Sequence, residues 1–165
     1  MNTRWKPNVT VAAVIERDGR FLLVEEETAE GLRLNNPAGH LDFGETPAHA
    51  CTRETLEETA YSFTPGALVG IYLSRQINVT GHDTTYLRFA FCGTLGKCDP
   101  HRKLDSGIVR TVWLTADEIR ASSTRHRSPL LVQCMDDYLR GTRYPLALVQ
   151  SDASIVQNPR LLHNQ

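Results

Sequence analysis

The nine residues PAGHLDFGE, Pro37 to Glu45, hold one proline and two glycines and cannot form a helix, so the backbone there must be irregular. Directly after them Thr46 offers an N-cap side chain and Pro47 a residue favoured at the first helical position, because its missing N–H would have been unpaired anyway. The chain must therefore pass from irregular backbone straight into a helix, expected to run to about Thr59.

That helix carries charge that its own stability does not explain. On a helical wheel Glu54, Glu57 and Glu58 share one arc of about 100°, beside a packed arc of Ala48, Cys51, Thr55 and Thr59. Glu54 faces Glu58 at i, i+4, the helix has no lysine, and only Arg53 offsets the cluster. Glu57 and Glu58 also sit in the last turn, where the negative end of the macrodipole opposes each by about 0.3–1 kcal/mol. Clustered carboxylates at the end of a half-buried helix would suit a hard divalent cation. Magnesium is the natural choice, since it keeps open positions for water and phosphate oxygens. The competing reading is a charged helix end with no ligand.

Around this segment the pattern is of strands. VTVAAVIE and FLLVEEE flank a tight turn at Asp18-Gly19 and read as an antiparallel pair. TAEGLRLNN reads as a loop, and ALVGIYLSRQI, TYLRFAFCGTL and IVRTVWL as three further strands. Thr115 and Glu118 form a capping box for a short helix, and Ser128-Pro129 opens another that ends at Gly141. Strands and helices do not alternate regularly, so an α+β fold is expected, a mixed β-sheet sandwiched between α-helices. A length of 165 residues suits one domain, placed at residues 1–145, with 146–165 a weakly patterned tail, an add-on or partly disordered.

A net charge of -1, spread along the chain, gives no basic stripe for nucleic acid and no polybasic membrane patch. The N-terminus lacks an apolar signal region and no run approaches bilayer length, so a cytoplasmic location is expected. Cys51, Cys92, Cys98 and Cys134 lack metal-binding spacing and read as buried thiols.

The stretch PAGHLDFGETPAHACTRETLEETAY resembles the signature of the Nudix hydrolases: glycine, five residues, glutamate, seven residues, then R-E-apolar-x-E-E-x-G-apolar, met at Gly39, Glu45, Arg53, Glu54, Glu57 and Glu58. The resemblance implies the Nudix fold and Mg²⁺-dependent hydrolysis of a diphosphate linked to another group, with Mn²⁺ able to substitute. By matching position, Glu54, Glu57 and Glu58 would be metal ligands, with the Gly39 carbonyl nearby. Arg53 would orient Glu54, and Glu45 would tie the loop to the helix. In the family one of these glutamates or a distant acid deprotonates the attacking water, and Asp105 is the candidate for the distant acid. Three positions depart from the signature: Thr55 for an apolar residue, Ala60 for the terminal glycine and Tyr61 for a smaller apolar residue. A left-handed Ala60 would cost around 1 kcal/mol, unless the helix ends differently.

PNVTVAAVIERDGRFLLVEEET, NNPAGHLDFGET, YLRFAF, VWLTADEI, RSPLL and GTRYPL extend the resemblance to the phosphatase NudJ subgroup. That subgroup implies removal of a terminal phosphate from nucleoside di- and triphosphates and from the thiamine-related pyrimidine diphosphate. The alternatives are cleavage within ADP-ribose or dinucleotides, and a non-catalytic nucleotide-sensing module. Substrate contacts are expected from Arg88, Asn35 and Phe43, with Arg33 and Asn36 in weaker support. Arg88 either reaches into the cleft or faces solvent from an edge strand. Phe43 is the preferred stacking residue over Tyr72, Tyr86 and Trp113, of which Trp113 best suits the core. The expected partner is a small-molecule diphosphate or triphosphate, and the chain a monomer or homodimer.

Overall fold

The computed structural model describes residues 4–78 and 80–156. Its elements, in order, are β1 (Asn8–Ala13), β2 (Glu16–Arg17), β3 (Arg20–Thr28), β4 (Gly31–Asn35), β5 (Ala38–His40), α1 (Pro47–Thr59), β6 (Tyr61–Ile77), β7 (Asp83–Cys98), β8 (Ile108–Thr115), α2 (Ala116–Ala121) and α3 (Leu130–Leu139), with three short 3₁₀ turns after α2.

The fold is α+β, and its mixed sheet is one of two four-stranded sheets. The first has the order β5-β1-β7-β6, in which β1 and β7 run parallel and the other pairs antiparallel. The second is antiparallel, with β8 along one edge of β3 and β2 and β4 along the other. Helices cover both faces of the mixed sheet. Ala50 and Cys51 of α1 pack with Val11, Phe63, Leu68 and Phe91, while Leu131, Cys134 and Met135 of α3 pack with Leu23, Val69, Tyr72 and Ala90.

The hairpin turn forms as its residues dictate, with Asp18 and Gly19 at φ 53 and 76, the positive values that such a turn requires. Three expectations need correction. TAEGLRLNN is not a loop throughout, because Gly31–Asn35 pairs with β3 as β4. The turn itself takes only Ala29 and Glu30 and is fastened by the Thr28 hydroxyl, which donates to the Gly31 carbonyl at 2.7 Å and accepts from the Glu30 amide at 3.1 Å. PAGHLDFGE is likewise irregular only in part, since Ala38–His40 adds to the edge of β1. Strand β6 begins at Tyr61, six residues before the expected start at Ala67, and runs through Pro65. As an edge strand it can hold a proline without losing a ladder bond, and its register shifts on either side of that residue.

Helix α1 starts and stops where the sequence places it, with Thr46 accepting from the His49 amide at 3.3 Å. The departures from the signature are accommodated locally. Thr55 is fully buried, but its hydroxyl donates to the Cys51 carbonyl at 2.8 Å, so no polar group is stranded. Ala60 does adopt the left-handed conformation, at φ 61 and ψ 7, with its amide on Leu56 and its carbonyl accepting from the Asp99 amide at 2.8 Å. Beyond residue 145, Leu146 and Val149 pack against the α1-side core; residues 157–165 lie outside the described residues.

The left-handed strain at Ala60, about 1 kcal/mol, is opposed by burial of its methyl group, about 0.8 kcal/mol. Ala60→Gly should therefore change stability by less than about 1 kcal/mol, whereas Ala60→Val, β-branched at positive φ, should cost more than about 2 kcal/mol in urea denaturation.

Candidate active site

Arg53 lies at the centre of the site. Its Nε and Nη2 donate to the two carboxylate oxygens of Glu45 at 3.0 and 2.6 Å. Nη1 donates to Glu54 at 2.8 Å and to Glu57 at 2.9 Å, and Nη2 also reaches the His40 carbonyl at 3.0 Å. These bonds employ all five N–H donors of a guanidinium, which a lysine could not reproduce. Glu45 in turn accepts from the Asp42 amide at 2.8 Å, so the irregular loop and the helix are fixed to each other through one side chain. The arginine bonds hold the Glu45 carboxyl below its ordinary range, although burial pulls it upward.

Glu54 and Glu58, one helical turn apart, are each only 9% exposed. The Glu54 carboxylate lies against the Cα of Gly39, so closely that a Cβ built there would fall 2.0 Å from it. A side chain at position 39 would therefore have to displace the Glu54 carboxylate, a constraint of close approach and not of a turn. Glu58 accepts from the Ala38 amide at 2.8 Å. Burial, with Glu54, Glu26 and Asp105 nearby, pushes its carboxyl up to about 8. Burial also raises Glu54, though Arg53 counters the shift. Among the described residues no three His, Cys, Asp or Glu side chains already converge at metal-binding distance. Arg53 draws Glu54 and Glu57 to itself, while the Ala38 amide takes Glu58.

Both carboxylates line a cleft of 430 Å³ between the two sheets, along with Gly39, Asn35 and Arg88. Arg88 does not face solvent from an edge strand. β7 lies between β1 and β6, and Arg88 is 7% exposed with Nε and Nη1 lacking any protein partner among the described residues. The Oγ1 of Thr10 and the Oδ1 of Asn35, also on the cleft, are buried and unpartnered too. Buried polar atoms rarely stay unpaired, so their convergence on one cavity marks a place for a polar ligand.

Of the remaining substrate-contact candidates, Tyr86 borders the cleft and the others fall outside its lining. Phe43 is 87% exposed beside the irregular loop, and Tyr86 is the aromatic residue that borders the cleft instead. Tyr72 is buried with its hydroxyl on Asp137 at 2.8 Å, and Trp113 packs partly buried on the α1-side core. Arg33 is engaged by Glu30, and Asn36 is buried off the cleft. Asp105 is exposed and donates its amide to the Glu57 carbonyl at 3.0 Å, near enough for its charge to raise Glu54 and Glu58. Sequence reading missed Thr10, Glu26 and Arg127 in the lining. For Glu26 the signal was strand alternation within EEE, which sends Glu25 and Glu26 to opposite faces of β3.

The raised Glu58 carboxyl implies that the fold binds its proton more tightly than the unfolded chain does. Its contribution is greatest at low pH and is lost as pH rises from about 4.5 through 8. In chelator-treated protein the denaturation midpoint should fall across that interval, and Glu58→Gln should flatten the decline.

A model of the NUDIX domain matches residues 5–133. Phosphatase NudJ of Escherichia coli (strain K12) is 39% identical over 146 residues, covering 88% of this chain and 92% of that protein. A solved NUDIX hydrolase from Nitrosomonas europaea is 54% identical with a TM-score of 0.84, covering 89% of this chain and 98% of that one. A MutT NUDIX hydrolase from Burkholderia pseudomallei shares the fold at a TM-score of 0.65 and 20% identity, over 81% of this chain and 98% of that one. The chain belongs to the Nudix family and is a hydrolase acting on phosphoric anhydrides.

Proposed function

We propose that the enzyme removes the terminal phosphate from small diphosphates and triphosphates, nucleotides and the thiamine-related pyrimidine diphosphate among them, with Mg²⁺ as its metal and Mn²⁺ able to substitute. One observation carries this reading: the buried carboxylates of Glu54 and Glu58 and the guanidinium of Arg88, whose Nε and Nη1 lack protein partners among the described residues, line the same cleft. An anhydride needs both, acid groups to hold a cation and a cation to hold phosphate oxygens. The likeness to phosphatase NudJ supports release of a terminal phosphate over internal cleavage.

The donor set fits a hard divalent ion. The glutamates are all-oxygen ligands in excess over the nearby arginines, and burial raises Glu54 and Glu58, a penalty that a bound cation would relieve. Glu54, Glu57 and Glu58, with the Gly39 carbonyl, would hold it. When bound, such an ion supplies a nucleophilic water and neutralises phosphate charge. Arg53 holds Glu54 on the cleft and Glu57 just outside its lining, and Glu45 keeps Arg53 in place. Arg88 clamps phosphate oxygens, while the unpartnered Oδ1 of Asn35 accepts from a donor group of the substrate.

The direct test is phosphate release with Mg²⁺ from nucleoside di- and triphosphates, thiamine diphosphate and its pyrimidine precursor, with and without added inorganic pyrophosphatase. Direct release is expected. Phosphate seen only with pyrophosphatase, or cleavage of ADP-ribose alone, would replace this reading with internal cleavage. Glu58→Gln should lower kcat at least about a hundredfold with the fold retained. Gly39→Ala should displace the Glu54 carboxylate and cost activity at least about tenfold, with far less effect on thermal stability than on turnover.

A further inference from the structure

The sheet face that lines the cleft continues past Arg88. Alternation places Arg88 and Tyr86 of β7 on one face, opposite Tyr72 and Ser74 of β6, with Gln76 next in line along β6. Tyr72 is held in the core by Asp137, so the open face runs outward from buried Arg88 to Tyr86 and Gln76. Tyr86 stands one two-residue repeat from Arg88, about 6.8 Å along the strand. Beyond it opens a second hollow of 360 Å³ that shares Gln76, Tyr86, Arg127 and Ser128 with the cleft as a common wall. Arg127 is carried there by the main chain, its amide donating to the Leu34 carbonyl at 2.9 Å while His126 bridges Leu34. Its guanidinium is loosely engaged: the carboxylate beside it is Glu26, at 3.5 Å, and the side chain is 42% exposed.

We propose that Tyr86, Gln76 and Arg127 form the subsite for the organic half of the substrate, and that the class it takes is a planar nitrogen heterocycle such as a nucleobase, its phosphates directed toward Arg88. A phenol ring and a guanidinium both present flat faces for stacking, and a carboxamide offers the donor and acceptor that a heterocycle's edge requires. A fatty or isoprenoid group would find no apolar wall among these three. The inference rests on the cleft being the anhydride site.

The test compares ADP and CDP with methyl diphosphate, which has no ring. Tyr86→Leu and Arg127→Ala should each raise KM for ADP and CDP at least about fivefold with kcat within about twofold, the loss expected from one stacking contact. Methyl diphosphate should be unaffected, and Tyr86→Phe should keep the parental KM, which also covers poor folding of the leucine variant. Equal losses on methyl diphosphate, or no change on ADP and CDP, would overturn the subsite. If the parent protein turns over none of the three, terminal phosphatase activity is what has failed, and calorimetry with AMP and CMP decides the subsite separately. Binding weakened at least about fivefold in Tyr86→Leu would support it; binding equal in the two proteins, or undetectable in the parent, would overturn it.

Discussion

The junction between the signature segment and α1 depends on one guanidinium. Arg53 donates five N–H groups to the Glu45 carboxylate, the His40 carbonyl at the end of β5 and two helix carboxylates, and thereby ties the segment 40–45 to α1. Because the fork is planar and rigid, fixing any two of its partners fixes the rest. Of the two α1 glutamates that line the cleft, Glu54 is bonded to Arg53 and Glu58 is not.

The remaining irregularities cluster around that same junction. Ala60 in left-handed backbone ends α1 one residue after its last turn, Gly39 yields its side-chain space to Glu54, and Glu54 and Glu58 are buried next to each other. None of these favours the fold alone. They are tolerated because the helix is otherwise well anchored, by its Thr46 cap, by internal hydroxyl bonds at Thr55 and Thr59, and by a continuous apolar face through Ala50 and Cys51. A stable frame carrying strained, under-neutralised groups at one place is what a binding site for charged ligands requires.

Much of this was legible from residues alone, wherever the constraint was local. The N-cap at Thr46, the turn at Asp18-Gly19 and the capping box at Thr115 are decided within four residues, and each forms as read. The acid cluster was legible as an anomaly, because helix spacing and the lack of lysine need no tertiary information. Strand β4 was misread because its polar residues suit solvent on an edge, and only pairing with β3 reveals them as a strand. Phe43 was favoured for its place beside the signature, yet sequence proximity does not fix the direction of a side chain in irregular backbone, and it points to solvent.

The sequence by itself determined the family signature, the helix that bears the glutamates and the α+β class, since periodicity, capping and spacing are properties of short stretches of chain. Only the tertiary structure decided that Arg88 is buried in a central strand, that Glu26 and Arg127 reach the same cleft as Glu58, and that Tyr86 replaces Phe43 at its border. Those residues lie on strands whose neighbours are distant in sequence, and the pairing that joins β1, β6 and β7 is set by burial of the whole core and not by any local preference.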